Sequence, residues 1–231
     1  MAGFLPQLKP FVRQLWASLY KDRDDQKVEF VYKRQVWPAL TWLRQFHQEH
    51  QQVLVRHLFL VDRLLDGLVL EVDASTTGGG AACWIGARHV AHKNPLVAYV
   101  VTQWTEQDEE LLGTKREGPA HQATWEAFMV LLAIRHFVTA KVRGRIVLIG
   151  DALGVWFGMV RFCAKAKKIN EIAKEVAMHL APLGHELEGV HIWSEMNSLA
   201  DALSRVAESG VAPQGLSSAR QGVLAKRGAE T

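Results

Sequence analysis

The chain of 231 residues is 48% hydrophobic and carries a net charge of +3, which predicts a globular protein with a sizeable core, either one domain with an appendage or two small domains. Its two cysteines, Cys83 and Cys163, lie far apart in apolar segments, which argues against a disulfide framework and against a zinc site. The chain has no apolar run of membrane-spanning length and no signal-peptide pattern. We therefore expect an intracellular protein of the cytoplasm or nucleus that has no membrane partner.

The first segment, residues 1–66, has apolar residues at helical spacing. Two such stripes are present, consisting of Leu5, Leu8, Phe11, Val12, Leu15 and Leu19 and of Trp37, Leu40, Leu43 and Phe46. This periodicity predicts two or three helices.

From Gly67 onward the pattern changes to short apolar runs. These runs cover residues 67–74, 81–87 and 96–102, and turn-forming residues at 75–80 separate the first two. Three such runs with short connections predict an antiparallel meander. We interpret the polar stretch at 103–120 as a loop.

The remaining segments alternate between helical and strand patterns. Helices are predicted at about 122–139, 153–165, 169–183 and from near Asn197, and strands at 145–150 and 188–193. This alternation favours parallel crossovers. Residues 207–231 are small and polar, which predicts a flexible tail.

Four acids occupy informative positions on these elements. Asp73 ends the first strand, Glu126 lies at the margin of the apolar face of a helix, Asp151 directly follows a strand, and Asp201 lies early in the last helix. The carboxyl end of a parallel strand is where open α/β sheets place ligands. Glu71 shares a strand face with Asp73 and is a second choice for its role.

Each acid also has a purely structural interpretation. Asp73 could cap a loop, Glu126 could be an exposed residue near a helix N-terminus, and Asp151 could be the N-cap of the next helix. Asp201 could form an i,i+4 ion pair with Arg205, following an N-cap at Asn197. None of the four acids is decisive by itself.

A cluster of basic residues follows the third acid. It consists of Arg161, Lys165, Lys167 and Lys168. A basic rim beside an acidic, metal-neutralised centre suits a phosphate-backbone substrate. The alternative is a solvated helix face.

The segment Asn197-Ser-Leu-Ala-Asp201-Ala-Leu-Ser-Arg205 resembles the end of the ribonuclease H domain in reverse transcriptases of DIRS-type or LTR-type retrotransposons. Residues 68–81 are similar to that family's first strand and its Asp-Ala-Ser turn, and residues 123–135 are similar to the helix that bears its glutamate. The resemblance implies a ribonuclease H-like mixed five-stranded α/β sheet flanked by helices over residues 67–206. Residues 1–66 resemble, less specifically, the thumb or connection region that precedes the domain.

The resemblance also implies an activity. It is metal-dependent hydrolysis of the RNA strand of RNA–DNA hybrids, as part of a retroelement reverse transcriptase. Two Mg²⁺ ions, or alternatively Mn²⁺, would be held by Asp73, Glu126, Asp151 and Asp201, since Mg²⁺ prefers hard oxygen ligands. The expected nucleic-acid contacts are Ser75, Gly78, Asn197, Arg161, Lys165 and Lys168. For Ser75 and Gly78, a tight turn that needs glycine at positive φ is the alternative.

Three features depart from the family pattern. Ala152 follows the third acid, where many relatives have Asn or Ser, and we interpret His191 as structural rather than as the loop histidine of the cellular enzymes. The sequence has no Tyr-x-Asp-Asp polymerase motif, so a polymerase domain of the same element would be a partner. Two alternatives stay open: a decayed or domesticated copy that binds nucleic acid or scaffolds a polymerase without cutting, and another nuclease of the same fold, such as an integrase or resolvase.

Overall fold

The computed structural model describes residues 6–20, 33–49, 67–85, 95–116, 118–142, 145–185, 187–214, 216 and 219–222. Two helices lie in the first segment, as the stripes predicted: α1 (Lys9–Tyr20), preceded by a 3-10 turn, and α2 (Lys33–Glu49). Residues 21–32 between these helices and residues 50–66 lie outside the described part. Among the described residues, no helix is both long and apolar enough to cross a membrane.

The centre of the molecule is a mixed sheet. Its strands are β1 (Leu68–Ala74), β2 (Gly78–Ile85), β3 (Leu96–Gln103), β4 (Ile146–Gly150), β5 (Leu187–His191) and β6 (Arg220–Gly222). The spatial order is β5-β4-β1-β2-β3-β6. Strands β1, β2 and β3 form the predicted antiparallel meander, while β4 pairs parallel with β1 and β5 pairs parallel with β4. The predicted mixed α/β sheet is therefore confirmed.

The sheet has six described strands rather than the predicted five. The additional strand, β6, lies in the segment 207–231 for which we predicted a flexible tail, and it pairs parallel with β3 from Ala98 to Val100. Leu216 in the same segment is buried against the sheet. An edge strand needs only backbone hydrogen bonds, so the polar composition of this segment did not reveal it.

Helices cover both faces of the sheet. On one face pack α4 (Gln122–Phe137), α5 (Leu153–Val160) and α6 (Lys167–Leu180), and on the other packs α7 (Ser198–Ser204), which is followed by α8 (Val206–Ser209). Successive residues of β1 enter different cores: Leu70 and Val72 join the core under α4, whereas Val69 joins the core under α7. This alternation follows from the two-residue period of a strand.

The stretch 103–120, predicted as a loop, contains a helix. Helix α3 (Glu106–Leu112) begins after Thr105, whose Oγ1 accepts from the Asp108 backbone N–H, while Asp108 accepts from the Thr105 backbone N–H at 2.8 Å. Gly113 ends the helix in the left-handed conformation. This reciprocal cap was readable in the sequence Thr105-Glu-Gln-Asp108, and the abundance of charged residues led us to miss it.

We expect Thr105→Ala to lower the free energy of unfolding by about 1 kcal/mol, because a backbone donor at the start of α3 loses its partner. Thr105→Ser keeps the hydroxyl and should unfold at the same urea concentration as the wild type. Urea unfolding followed by circular dichroism measures both variants. Equal stability of Thr105→Ala and Thr105→Ser would contradict the assignment of the cap.

The two N-terminal helices dock against α6. Leu8 of the 3-10 turn and Phe46 of α2 form a small core with Ala181, which follows α6. Two side-chain hydrogen bonds cross the same interface: Gln7 Nε2 donates to the His185 carbonyl oxygen at 2.7 Å, and Lys174 Nζ donates to Gln14 Oε1 at 2.5 Å. The described part of the N-terminal segment is thus packed on the α/β core.

Candidate active site

All four sequence-predicted acids line one cavity of about 920 Å³. Asp73 lies at the end of β1, Glu126 in α4, Asp151 directly after β4 and Asp201 in α7. Strands β1 and β4 are parallel neighbours, so their carboxyl ends reach the same edge of the sheet. Helices α4 and α7 approach that edge from opposite faces, which is why acids far apart in sequence meet there.

Asp73 is held by the last helix of the site. Ser204 Oγ donates to its Oδ2 at 2.6 Å, and Asn197 Nδ2 lies 3.5 Å from its Oδ1. Burial raises the pKa of Asp73 to about 7, and the negative charges of Asp151 and Asp201 act in the same direction, whereas the bond from Ser204 opposes them. Asp73 is therefore a carboxyl group whose negative charge is disfavoured without a counter-charge.

Glu126 is a buried acid on the side of the cavity that α4 forms. Its side chain is 6% exposed, and Gln122 Nε2 donates to Oε1 at 3.1 Å. Gln122 Nε2 also donates to the carbonyl oxygen of Ala74, which ties α4 to the end of β1. Burial raises the pKa of Glu126 well above its ordinary value, with the charges of Asp73 and Asp151 as further causes. The exposed helix flank that we weighed for Glu126 is thus not what the structure contains.

Asp151 is held by the connection between β5 and α7. Ser194 Oγ donates to its Oδ2 at 2.6 Å, and His191 Nε2 lies 3.1 Å from its carbonyl oxygen. The N-cap of α5 is Ala152 rather than Asp151, and it makes no side-chain cap. Sequence reasoning missed Ser194, since nothing in its local pattern links it to a residue 43 positions earlier.

Asp201 forms the i,i+4 ion pair with Arg205 that we considered as its structural role. Arg205 donates to Asp201 Oδ1 from Nε at 3.0 Å and from Nη2 at 2.7 Å. Both side chains line the acidic cavity. Arg205 is therefore the positive charge placed closest to this carboxylate.

Glu71 and Asn197 make contacts other than those that the sequence predicted. Asn197 occupies the N-cap position of α7 but makes no side-chain cap. Its side chain is instead 1% exposed and directed at Asp73, so it is a positioning residue and is not accessible for the predicted contact with nucleic acid. Glu71 Oε1 accepts from the backbone N–H of Ala200 at 3.4 Å. Glu71 thus supports the first turn of α7 and does not line the cavity.

The turn after Asp73 has a different physical basis from the predicted one. The glycines at 78–80 belong to β2, and none of them has positive φ. A side chain at Gly78 would bring its Cβ within 2.5 Å of the Thr102 carbonyl oxygen, so the residue is required by close approach of β3. Ser75 Oγ lies within 3.0 Å of the Ser204 carbonyl oxygen and accepts from the Gly78 N–H, which joins this turn to α7.

Two of the three basic residues predicted to contact phosphate lie at the acidic cavity. Arg161 and Lys165 line it, in the connection between α5 and α6. Lys168 does not line it and lies 3.8 Å from Glu171 on α6. The cavity therefore combines an acidic centre with a basic side on the connection after α5.

The donor set fits a hard divalent cation in its chemistry. All four candidate ligands are carboxylates, which Mg²⁺ prefers, and the raised pKa values of Asp73 and Glu126 reflect charge that a cation would neutralise. Within the described residues, however, no three His, Cys, Asp or Glu side chains are grouped closely enough to form a ready metal site. Binding of a metal would require side-chain adjustment, beginning with Asp201, which now faces Arg205.

The metal-free protein is expected to lose stability as the pH rises from about 4 to about 7. The pKa of Asp73 is raised from 3.8 to about 7, so the folded state holds this proton more tightly than the unfolded chain does. The resulting stabilisation is complete below the unfolded pKa and is lost as the pH rises through the folded one. Glu126 acts in the same direction.

Urea unfolding in EDTA across this pH range, for the wild type and for Asp73→Asn, isolates the contribution of Asp73 as the difference between the two profiles. That difference should shift in favour of the variant as the pH rises from about 4 to about 7. Parallel profiles would show that the pKa of Asp73 is not raised.

The chain is similar to known solved structures at low identity. No family model matches the chain, and no curated protein matches it. Among solved structures, the N-terminal RNase H domain of a Mycobacterium tuberculosis protein, determined as a fusion with maltose-binding protein, is 15% identical, with 62% of this chain and 94% of that chain covered and a TM-score of 0.47. The RNase H1 of the halophilic archaeon Halobacterium salinarum is 13% identical, with 63% and 98% covered and a TM-score of 0.41.

The fold of the core is ribonuclease H-like. Three antiparallel strands are followed by two parallel strands in the spatial order β5-β4-β1-β2-β3, and helices cover both faces of this sheet.

Proposed function

We propose that the protein is a metal-dependent endonuclease that hydrolyses the RNA strand of RNA–DNA hybrids. One observation carries the proposal: four carboxylates from four different elements line one cavity, and two of them are buried with raised pKa values. Burying acids together is costly, and bound cations would offset that cost directly. Perturbed carboxyl groups in a cleft are a recognised mark of a functional site.

In this proposal Asp73, Glu126, Asp151 and Asp201 hold two Mg²⁺ ions, with Mn²⁺ as an alternative. Bound at this position, the ions would supply an activated water and neutralise charge on the scissile phosphate. The protein's own groups fix the ligands: Ser204 and Asn197 hold Asp73, Gln122 holds Glu126, and Ser194 holds Asp151. Asp201 would exchange Arg205 for the cation.

The charges around the cavity suit a substrate with a phosphate backbone. Arg161 and Lys165 line it beside the acids and are placed to contact phosphates, with Lys168 as a more distant contact on α6. Contacts of this kind give salt-dependent binding with little dependence on sequence. We further propose, from the sequence motif ending at Arg205, that the domain belongs to a retroelement reverse transcriptase and acts beside its polymerase domain.

The test is incubation of the purified protein with a labelled RNA–DNA hybrid in Mg²⁺, in Mn²⁺ and in EDTA, with Asp151→Asn as the control. We expect cutting of the RNA strand only, present with either metal and lost in EDTA and in the variant. Cutting of duplex DNA instead would assign the site to another nuclease class of the same fold. Cutting in EDTA would overturn the metal-dependent mechanism.

A second candidate is a domain that binds hybrids without cleaving them. Two observations favour it: Asp201 is engaged by Arg205, and the described residues contain no group of three ligands ready for a metal. This candidate predicts hybrid binding that is equal in Mg²⁺ and in EDTA and no turnover in either. The incubation described above therefore separates the two candidates.

A further inference from the structure

A second hollow lies on the far side of α5 from the acids. Its volume is about 330 Å³, and its lining includes Trp156, Phe157 and Val160 of α5 together with Leu187 and Gly189 of β5. Strand β5 is the edge strand at this end of the described sheet, so the hollow opens beside a strand edge. A volume of this size is at the lower limit of cavities that hold small ligands.

The hollow adjoins the acidic cavity. Leu153, Phe157 and Arg161 line both, so a chain of nucleotides passing over α5 could occupy the two at once. Asp151, which precedes the N-cap of α5, lines the acidic cavity and not the hollow. A group in the hollow would therefore flank the position of the scissile phosphate.

Phe157 is the exposed aromatic residue of α5. Its side chain is 52% exposed, although it belongs to a helix whose other face is buried in the core. The Arg161 guanidinium lies 5.1 Å from the centre of its ring, which is a cation–π contact. An aromatic face with a guanidinium beside it is the combination on which proteins stack unpaired bases.

The walls of the hollow are fixed by the fold. Trp156 is 3% exposed, and its Nε1 donates to the Val190 carbonyl oxygen at 3.0 Å. A Cβ at Gly189 would come within 2.6 Å of Val160 Cγ2, so the absence of a side chain there keeps both the helix packing and the floor of the hollow. The shape is thus present before a ligand arrives, which lowers the cost of binding.

We propose that this hollow receives an unpaired nucleobase that flanks the hybrid, stacked on Phe157 and Arg161. The preferred substrate is then a hybrid next to a single-stranded extension rather than an uninterrupted hybrid. The proposal rests on the proposed function for its substrate class. A purely apolar partner is disfavoured by the small volume of the hollow and by its charged lining residues, Arg161 and Glu188, of which Glu188 is paired with Arg145.

The test uses binding without metal, so that it does not depend on cleavage. Blunt RNA–DNA hybrids and hybrids with a short single-stranded extension on either the RNA or the DNA strand are titrated in EDTA, with the fluorescent base 2-aminopurine in the extension. We expect tighter binding of one extended hybrid than of the blunt one, together with quenching of 2-aminopurine by stacking. Equal binding of blunt and extended hybrids, or no quenching with either extension, would overturn the proposal.

Variants identify the stacking residue. Phe157→Ala should weaken binding of the extended hybrid at least about fivefold more than binding of the blunt hybrid, the lower end of what loss of one stacked base costs. Phe157→Tyr keeps the ring and should retain the preference, whereas Phe157→Leu keeps an apolar side chain without a ring and should lose it. Trp37→Ala removes another exposed aromatic side chain, 53% exposed, with Lys33 Nζ 4.5 Å from the centre of its ring and outside the lining of both cavities, and is the matched control that should retain the preference.

The two proposals fail in different ways. Cleavage in Mg²⁺ without a preference for the extension would leave the nuclease and remove the base site. Quenching of the extension without any cleavage would leave the base site and remove the nuclease. Because Phe157 is half exposed, its variants should unfold at the same urea concentration as the wild type, and a variant that unfolds earlier is replaced by Arg161→Gln, which removes the cation and should reduce quenching.

Discussion

Cleavage of the RNA strand is expected to fall by at least about 1,000-fold when Asp73 is replaced by asparagine, because loss of one metal ligand removes several kcal/mol of transition-state stabilisation. Asp73 lies at the centre of the acidic cavity and is influenced by the charges of both Asp151 and Asp201. An amide of the same shape cannot neutralise a cation. Single-turnover cleavage of a labelled hybrid in saturating Mg²⁺ measures the change.

The same substitution separates catalysis from folding. The asparagine Oδ1 can still accept from Ser204 Oγ, which now donates to Asp73 at 2.6 Å, and the cost of burying a charge at neutral pH disappears. We therefore expect Asp73→Asn to be at least as stable as the wild type in EDTA at pH 7. A variant that is stable and retains activity within tenfold of the wild type would show that Asp73 is not a metal ligand.

Replacing Gly80 with alanine is expected to destabilise the protein by about 1–3 kcal/mol, the usual cost of overpacking, and to reduce cleavage as well. Gly80 lies on β2 opposite Asp73 in the sheet register. A Cβ there would collide with Leu203 Cβ and come within 2.6 Å of the Ser204 backbone nitrogen. Helix α7 would have to move away from the sheet, and α7 carries Asp201 and the serine that holds Asp73.

Gly154→Ala is the matched stability control. Gly154 lies in α5, and a Cβ there has nothing within 4 Å, so alanine should raise the free energy of unfolding by about 0.4–1 kcal/mol through its effect on the unfolded chain. Urea unfolding measures both variants, and single-turnover cleavage is measured for Gly80→Ala. If Gly80→Ala were as stable as the wild type, α7 could move away from the sheet without cost. The close contact between Gly80 and residues 203–204 of α7 would then be incorrect.

These two expectations share one physical cause. The acids approach one another because β1 and β4 are parallel neighbours and α7 lies close to Gly80 of β2, and the same arrangement places the negative charges of Asp151 and Asp201 near the buried Asp73. Stability and catalytic geometry are therefore coupled at this edge of the sheet. Substitutions that relieve the repulsion should stabilise the metal-free protein while removing the function.

Much of the fold could be predicted because the patterns are local. The apolar runs of β1 and β4 and the helical stripe of α4 are properties of consecutive residues, and the structure has these elements within a few residues of the predicted bounds. The strand–helix alternation then restricted the topology to parallel crossovers. Helix α3 also has a local signal, the capping box of Thr105 and Asp108 at its start. The polar composition of residues 103–120 predicted a loop there instead.

The sequence by itself determined strands β1 to β5, the longer helices and the four candidate acids Asp73, Glu126, Asp151 and Asp201. Strand and helix periodicity and the order of acids are properties of the sequence itself. Only the tertiary structure decided which side chains hold those acids. Ser194 reaches Asp151 and Glu71 supports α7 across 43 and 129 residues of chain, and contacts at such separation depend on how the elements pack. For the same reason, the burial of Asn197 and the close approach of α7 to Gly80 exist only once α7 packs on the sheet, and the hollow beside Phe157 exists only once α5 packs on β5.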